Sequence, residues 1–240
     1  QNVVEQLLTE IKNMRQGKER EGILLKFCQI SFGTFIEQIK TVCEFLTKET
    51  NVNVKTHSFD FVLNIVVLIQ QICETSPVFL RYLGKYSGLL SFRTTFYEFF
   101  CQPSKIGFQL KQEHVRLLWD LTLLGDKSAI RNVDGLYLLV ASTRKTGFIN
   151  DIILRLIEMC KYSVFNQFQC SQADVIQILL EFYKNDNKPP RLNELLLLIG
   201  QSYCKPNELN QLFKIIQEKS HLELINLTSK IIKNSITLQQ

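Results

Sequence analysis

The sequence predicts an all-α chain whose helices stack as an irregular solenoid, and three observations predict it. Apolar residues recur at three- and four-residue steps along most of the 240 residues, the period of a helix that buries one face. Only five prolines and ten glycines punctuate the chain, too few for an all-β protein, which needs a turn signal every ten residues or so. A compound pattern also returns at intervals of roughly 40 to 50 residues: apolar helix end, polar break, short apolar piece, glycine, new apolar run.

The elements follow in order. Val4, Leu7, Leu8, Ile11 and Met14 share one face of a first helix, interrupted at residues 17 to 22. After the apolar run at 23 to 30, Thr34 and Glu37 form a capping box for a helix over 35 to 48. Ser58 caps a helix over 59 to 74, which Pro77 separates from a short one at 78 to 83. An aromatic-rich helix over 88 to 100 ends before Pro103. Further helices are expected at 110–124, 133–142, 148–162, 172–184, 192–203, 208–218 and 222–234. Ser171 with Asp174 three residues on reads as a capping-box start, and Pro189-Pro190 prevents one continuous helix from 174 to 203.

The repeat is clearest between "LIQQICETSPVFLRYLGKYSGLL" (68–90) and "LLWDLTLLGDKSAIRNVDGLYLL" (117–139). Ile72 and Leu121 are 49 positions apart, Gly88 and Gly135 are 47 apart. Looser copies begin at Leu154 and Leu195. Two or three helices cannot bury their apolar faces alone, whereas stacked copies share one continuous core.

The stretch 117–142 resembles the armadillo family at the junction between two repeats. By that resemblance Trp119 and Leu121 lie on a third helix, Ile130 and Val133 on a first, Gly135 at the bend, and Leu136 and Leu139 on a second. It implies a right-handed α-solenoid of four or five armadillo-like repeats, working through the face made by its third helices. Peptide-binding members carry a Trp followed four residues later by an Asn on successive third helices. Here Leu123 stands at that place and Trp119 is the sole tryptophan, so those contacts are not assigned. The stretch 132–160 is also similar to the armadillo-like region of BEACH-domain proteins of the neurobeachin type, on Gly135, Leu138, Leu139 and the apolar spacing after Asn150. That likeness implies a scaffold in vesicle traffic.

Chemistry is sparse. His57, His114 and His221 lie in separate elements, away from any cysteine or carboxylate pair with ligand spacing. No phosphate loop, nucleophile elbow or HExxH occurs. The seven cysteines, Cys28, Cys43, Cys73, Cys101, Cys160, Cys170 and Cys204, are odd in number, widely spaced and set mostly in apolar stretches. They read as core residues of a reducing, cytoplasmic compartment. Trp119, Phe96, Tyr97, Phe99 and Phe100 read as packing between helices. Neither a catalytic residue nor a metal, cofactor or small-molecule substrate is expected, and no apolar run reaches membrane-spanning length.

A single helical-repeat domain over 1–240, without a recognisable leader before its first helix, is therefore expected as a piece of a larger intracellular protein that binds protein partners. The alternative is a basic module for nucleic acid or an anionic membrane. The net charge is +5, and Arg144, Lys145, Arg155, Lys161, Lys184, Lys188 and Arg191 make the middle and later part locally basic. These seven are the candidate partner-binding residues. Arg144 and Lys145 are both expected to be exposed, so that reversing them to Glu leaves the fold intact.

Overall fold

The structure, a computed structural model, describes residues 66–67, 70, 92–101, 109–185, 187–219 and 221–237. Among these residues the secondary structure is helical, without a strand. Apart from Val66, Val67 and Gln70, the helices expected before residue 88 lie outside the described residues, as do the repeat copy at 68–90, His57, Cys28, Cys43 and Cys73. The chain divides into two compact units between Phe99 and Phe100, inside α1 (Phe92–Cys101). Val66, Phe96 and Phe99 are buried on the first side of that division and Phe100 on the second.

The second unit carries the rest. In order come α2 (Gln112–Leu123), α3 (Val133–Thr143), α4 (Ile149–Lys161), α5 (Val164–Gln172), α6 (Val175–Leu179), α7 (Glu181–Lys184), α8 (Leu192–Tyr203), α9 (Pro206–Lys219) and α10 (Leu222–Thr237). Two helices organise them. α3 packs against α2, α4, α5 and α6, while α8 packs against α4, α5, α6 and α10. Their sequences explain the role. α3 is apolar almost all round, as a helix with neighbours on every side must be, and Leu136, Leu138 and Leu139 have no exposed surface. Each such leucine contributes about 1.5–3 kcal/mol by leaving water.

Two glycines let helices approach closely. A Cβ on Gly135 would lie 3.1 Å from the Thr122 amide nitrogen and 3.2 Å from the Leu121 carbonyl carbon, so the bare backbone is what seats α3 on the end of α2. Gly135, expected at a bend between two helices, instead sits in the first turn of α3. A Cβ on Gly200 would meet Ile231 Cδ1 at 2.8 Å, where α8 crosses α10.

The first helix expected around Ile130 and Val133 does not form. Residues 126 to 131 are non-helical, because most of their amides are engaged elsewhere. Asp126 Oδ1 accepts from the Ser128 and Ala129 amides at 2.9 and 3.0 Å, and its Oδ2 holds the Arg131 guanidinium at 2.7 Å. These bonds hold the Asp126 carboxyl well below the usual carboxylate range. The Arg131 and Asn132 amides both donate to the Thr122 carbonyl, and the Ile130 amide donates to Asn166 Oδ1. Val133 instead opens α3, capped by Asn132, whose side chain accepts from the Gly135 amide.

The helix expected from Gln172 to Lys184 is also different. α5 begins eight residues earlier, after Ser163, whose hydroxyl accepts from the Asn166 amide at 3.2 Å. Ser171 lies inside α5. Asp174 is left-handed at φ 53° and makes no side-chain cap; its carboxylate instead meets Lys205 Nζ at 2.6 Å. α5 inverts the usual rule. It buries Asn166, Gln167, Cys170 and Ser171, and exposes Val164, Phe165 and Phe168.

The buried amides of α5 fasten the ends of α4 and α8 to the segment at 126 to 131. Asn166 Nδ2 donates to the Ser128 and Met159 carbonyls at 2.8 and 2.9 Å. Gln167 Nε2 donates to the Cys160 carbonyl at 2.8 Å, while its Oε1 accepts from the Ser202 hydroxyl at 2.7 Å. Beside them the Cys160 and Cys170 sulfurs are 3.6 Å apart and buried, as the sequence reading expects of core thiols. Cys101 and Cys204 are half-buried, and burial pushes their thiols up to about 12 and about 11, leaving both protonated and poorly nucleophilic at neutral pH.

Candidate functional site

α3 packs on both α2 and α4, and between those two helices runs a solvent-open groove of about 720 Å³. On one side α2 starts at Lys111, whose amide donates to His114 Nδ1 at 2.9 Å. That bond repeats the logic of a capping box, with an imidazole in place of the usual Glu. α2 ends at Leu124, left-handed at φ 47°, followed by Gly125 at φ 82°. On the other side α4 is strongly one-faced: Ile149, Ile152, Ile153, Leu156, Ile157 and Cys160 are buried. This leaves Asp151 and Arg155 on the open face.

The floor of the groove is apolar, made by Val115, Trp119 and Ile152, with Phe148 half-buried at one edge. Gln112, Glu113, Arg116 and Asp120 rim it from α2 and Asp151 and Arg155 from α4. The Arg155 guanidinium lies over the Trp119 ring, 4.3 Å from its centre. Trp119 is 7% exposed, so its edge is packed in the core while one face looks into the groove beneath Arg155. A stacked guanidinium on indole gains about 0.5–1 kcal/mol where water still reaches it.

His114 is buried. Burial drives its pKa below the usual imidazole value; Glu113 opposes the shift and Lys111 reinforces it. The neutral ring suits its structural task, since Nδ1 must be an acceptor for the Lys111 amide.

The seven basic residues are dispersed. Arg155 alone lines the groove. Arg144, contrary to the expectation of an exposed side chain, is 21% exposed and pairs with Glu181 at 2.7 Å. Lys188 pairs with Glu223 at 3.2 Å and lies over the Tyr183 ring at 4.7 Å. Arg191 holds Glu194 with two nitrogens at 2.7 and 2.8 Å. Lys145, Lys161 and Lys184 are exposed at or just beyond the ends of α3, α4 and α7.

Sequence reasoning passes over two features. Arg116 lies one turn before Trp119 on α2 and rims the groove, yet it stands outside the basic stretch that draws attention. Tyr162, Val164, Phe165 and Phe168 are 87%, 60%, 46% and 41% exposed, a protruding apolar stripe beside Lys161, whose ammonium is 5.5 Å from the Tyr162 ring centre. Phe168 also stacks edge-on against Tyr203, with centroids 5.2 Å apart. The signal for this stripe is present at 162, 164, 165 and 168, but a run of apolar side chains normally means core.

Among the described residues no three His, Cys, Asp or Glu side chains converge as a metal site, and no helix is long and apolar enough to cross a membrane. No family model, curated protein or solved structure matches the chain.

Proposed function

We propose that the chain is a non-catalytic protein-interaction module of the scaffold kind, an armadillo-like right-handed helical array that takes an extended segment of a partner protein in the groove between α2 and α4. The observation that carries this reading is the open groove itself, with Trp119 as its floor and Arg155 stacked on the indole. A solvent-open site with an aromatic base offers contact area to an extended chain, which suits a peptide better than a compact small molecule. The serial packing, in which α3 and then α8 gather their near neighbours in sequence, supports a repeat array. α2, α4 and α8 occupy the third-helix positions in this reading.

The sole tryptophan makes the test direct. Peptides selected from a random display library on the 240-residue chain are titrated while Trp119 emission is followed. Saturable shifts that Arg155→Ala weakens support the groove; selected peptides that leave the emission unchanged remove it as the working surface.

A second reading has one observation in its favour. The exposed stripe of α5 beside Lys161 has the aromatic and basic character of surfaces that rest in the headgroup region of an anionic bilayer. Co-sedimentation with vesicles of phosphatidylserine and phosphatidylcholine, lost on Phe165→Ser with Phe168→Ser, supports it. Equal recovery with and without vesicles excludes it.

A further inference from the structure

Five arginines stand in the second unit, and three already hold carboxylates: Arg131 with Asp126, Arg144 with Glu181, and Arg191 with Glu194. The other two, Arg116 and Arg155, both line the groove between α2 and α4. Neither has a carboxylate within ion-pair distance, nor donates a hydrogen bond, among the described residues. A guanidinium carries five N–H donors in a planar fork that matches a carboxylate edge to edge. The Arg155 guanidinium carbon sits over the Trp119 ring, which holds its position while its N–H donors stay unspent. The arrangement also closes an alternative, because the indole face that attracts a partner's cation is covered by the chain's own.

We infer that the groove recognises its partner through a carboxylate side chain received by the guanidiniums of Arg155 and Arg116, with a neighbouring apolar side chain laid against Val115, Trp119 and Ile152. This rests on the groove being the peptide site and names the chemistry of its occupant. Glu113, Asp120 and Asp151 line the same groove and repel a run of acids. The occupant therefore carries an isolated Asp or Glu among apolar residues, not an acidic tract.

The experiment uses display-selected peptides, each synthesised and titrated against the full chain with Trp119 emission as readout. Binders are expected to carry one Asp or Glu, and its replacement by Asn or Gln weakens binding about tenfold, the scale of a charge-assisted hydrogen bond. Arg155→Gln and Arg116→Gln each give a similar loss, and on Arg155→Gln the peptide's own amide replacement costs much less, as a double-mutant cycle requires of a direct pair. Arg155→Lys, which keeps the charge and loses the fork, falls in between. Binders that shift Trp119 emission but carry Lys or Arg in place of the acid, or that ignore both arginine variants, overturn the carboxylate inference and leave the peptide site standing. If no selected peptide shifts the emission, both readings fall together.

Discussion

Asn166 accepts the amide proton of Ile130 at 3.0 Å, across 36 positions of the chain. The same side chain donates to the Ser128 and Met159 carbonyls, so all of its hydrogen-bonding atoms serve the backbone of neighbouring elements. Asn166→Ala leaves those groups buried without partners, and a loss of about 2–4 kcal/mol in chemical denaturation is expected. Asn166→Asp does worse, since it swaps two donors for a buried acceptor facing two carbonyls. Unchanged denaturation midpoints for both variants contradict the assignment.

Gly135 and Gly200 are predicted to differ in their response to Ala. Helix propensity favours Ala at either position by about 1 kcal/mol. At Gly135 the new methyl meets backbone atoms of Leu121 and Thr122, which cannot yield without moving α2, and a net loss of about 1–2 kcal/mol follows. At Gly200 it meets the end of the Ile231 side chain, which can rotate away, so the loss is smaller. Thermal melts of the two variants check the order; a more stable Gly135→Ala protein contradicts the described contact.

His114 makes stability depend on pH. Its folded pKa is lowered from the ordinary value near 6.5, so the unfolded chain binds the proton more readily. The contribution is full above about pH 6.5 and is lost progressively as pH falls from there toward the folded value. Protonation also ends the bond from the Lys111 amide to Nδ1. His114→Gln keeps an acceptor at that place and removes the titration, so its denaturation midpoint should fall less than that of the unsubstituted chain between pH 7 and pH 5. Parallel profiles for the two proteins argue against this role.

Arg144 and Lys145 are neighbours with different fates. Lys145→Glu alters an exposed position and is expected to stay within about 0.5 kcal/mol of the parent. Arg144→Glu sets two carboxylates against each other where Arg144 and Glu181 now meet at 2.7 Å, and about 1–2 kcal/mol is lost. Combining it with Glu181→Arg recovers part of the loss. Equal effects of the two single changes contradict the pairing.

How far the sequence foretells the second unit depends on which face of a helix does the packing. α2, α3, α4, α8 and α10 each bury apolar residues at helical spacing, and their expected positions agree with those found to within a few residues. α5 was not legible as a helix, since its inward face is Asn166, Gln167, Cys170 and Ser171 and its outward face is apolar. Burial that works through amide hydrogen bonds leaves no hydrophobic period to detect. The segment at 126 to 131 departs from the expected helix for a related reason: Ile130 has no exposed surface, as a helical core residue does, but the Asp126 side chain takes the nearby amides that a helix would need.

At the groove, Trp119 and Arg155 are both visible in the sequence, one as the sole tryptophan and one within a basic region. Their stacking is not, because α2 and α4 are separated by all of α3. Arg116 carries no local signal at all. Only the comparison with three arginines already committed to carboxylates singles it out.

The amide clamp at Asn166 grips main-chain atoms and ignores the identity of the side chains it spans. Spelling changes at Lys127, Ser128 or Ala129 can accumulate there without disturbing the clamp, whereas inserting or deleting one residue moves every carbonyl and amide past its partner. Variation across this junction is therefore cheap in letters and costly in length.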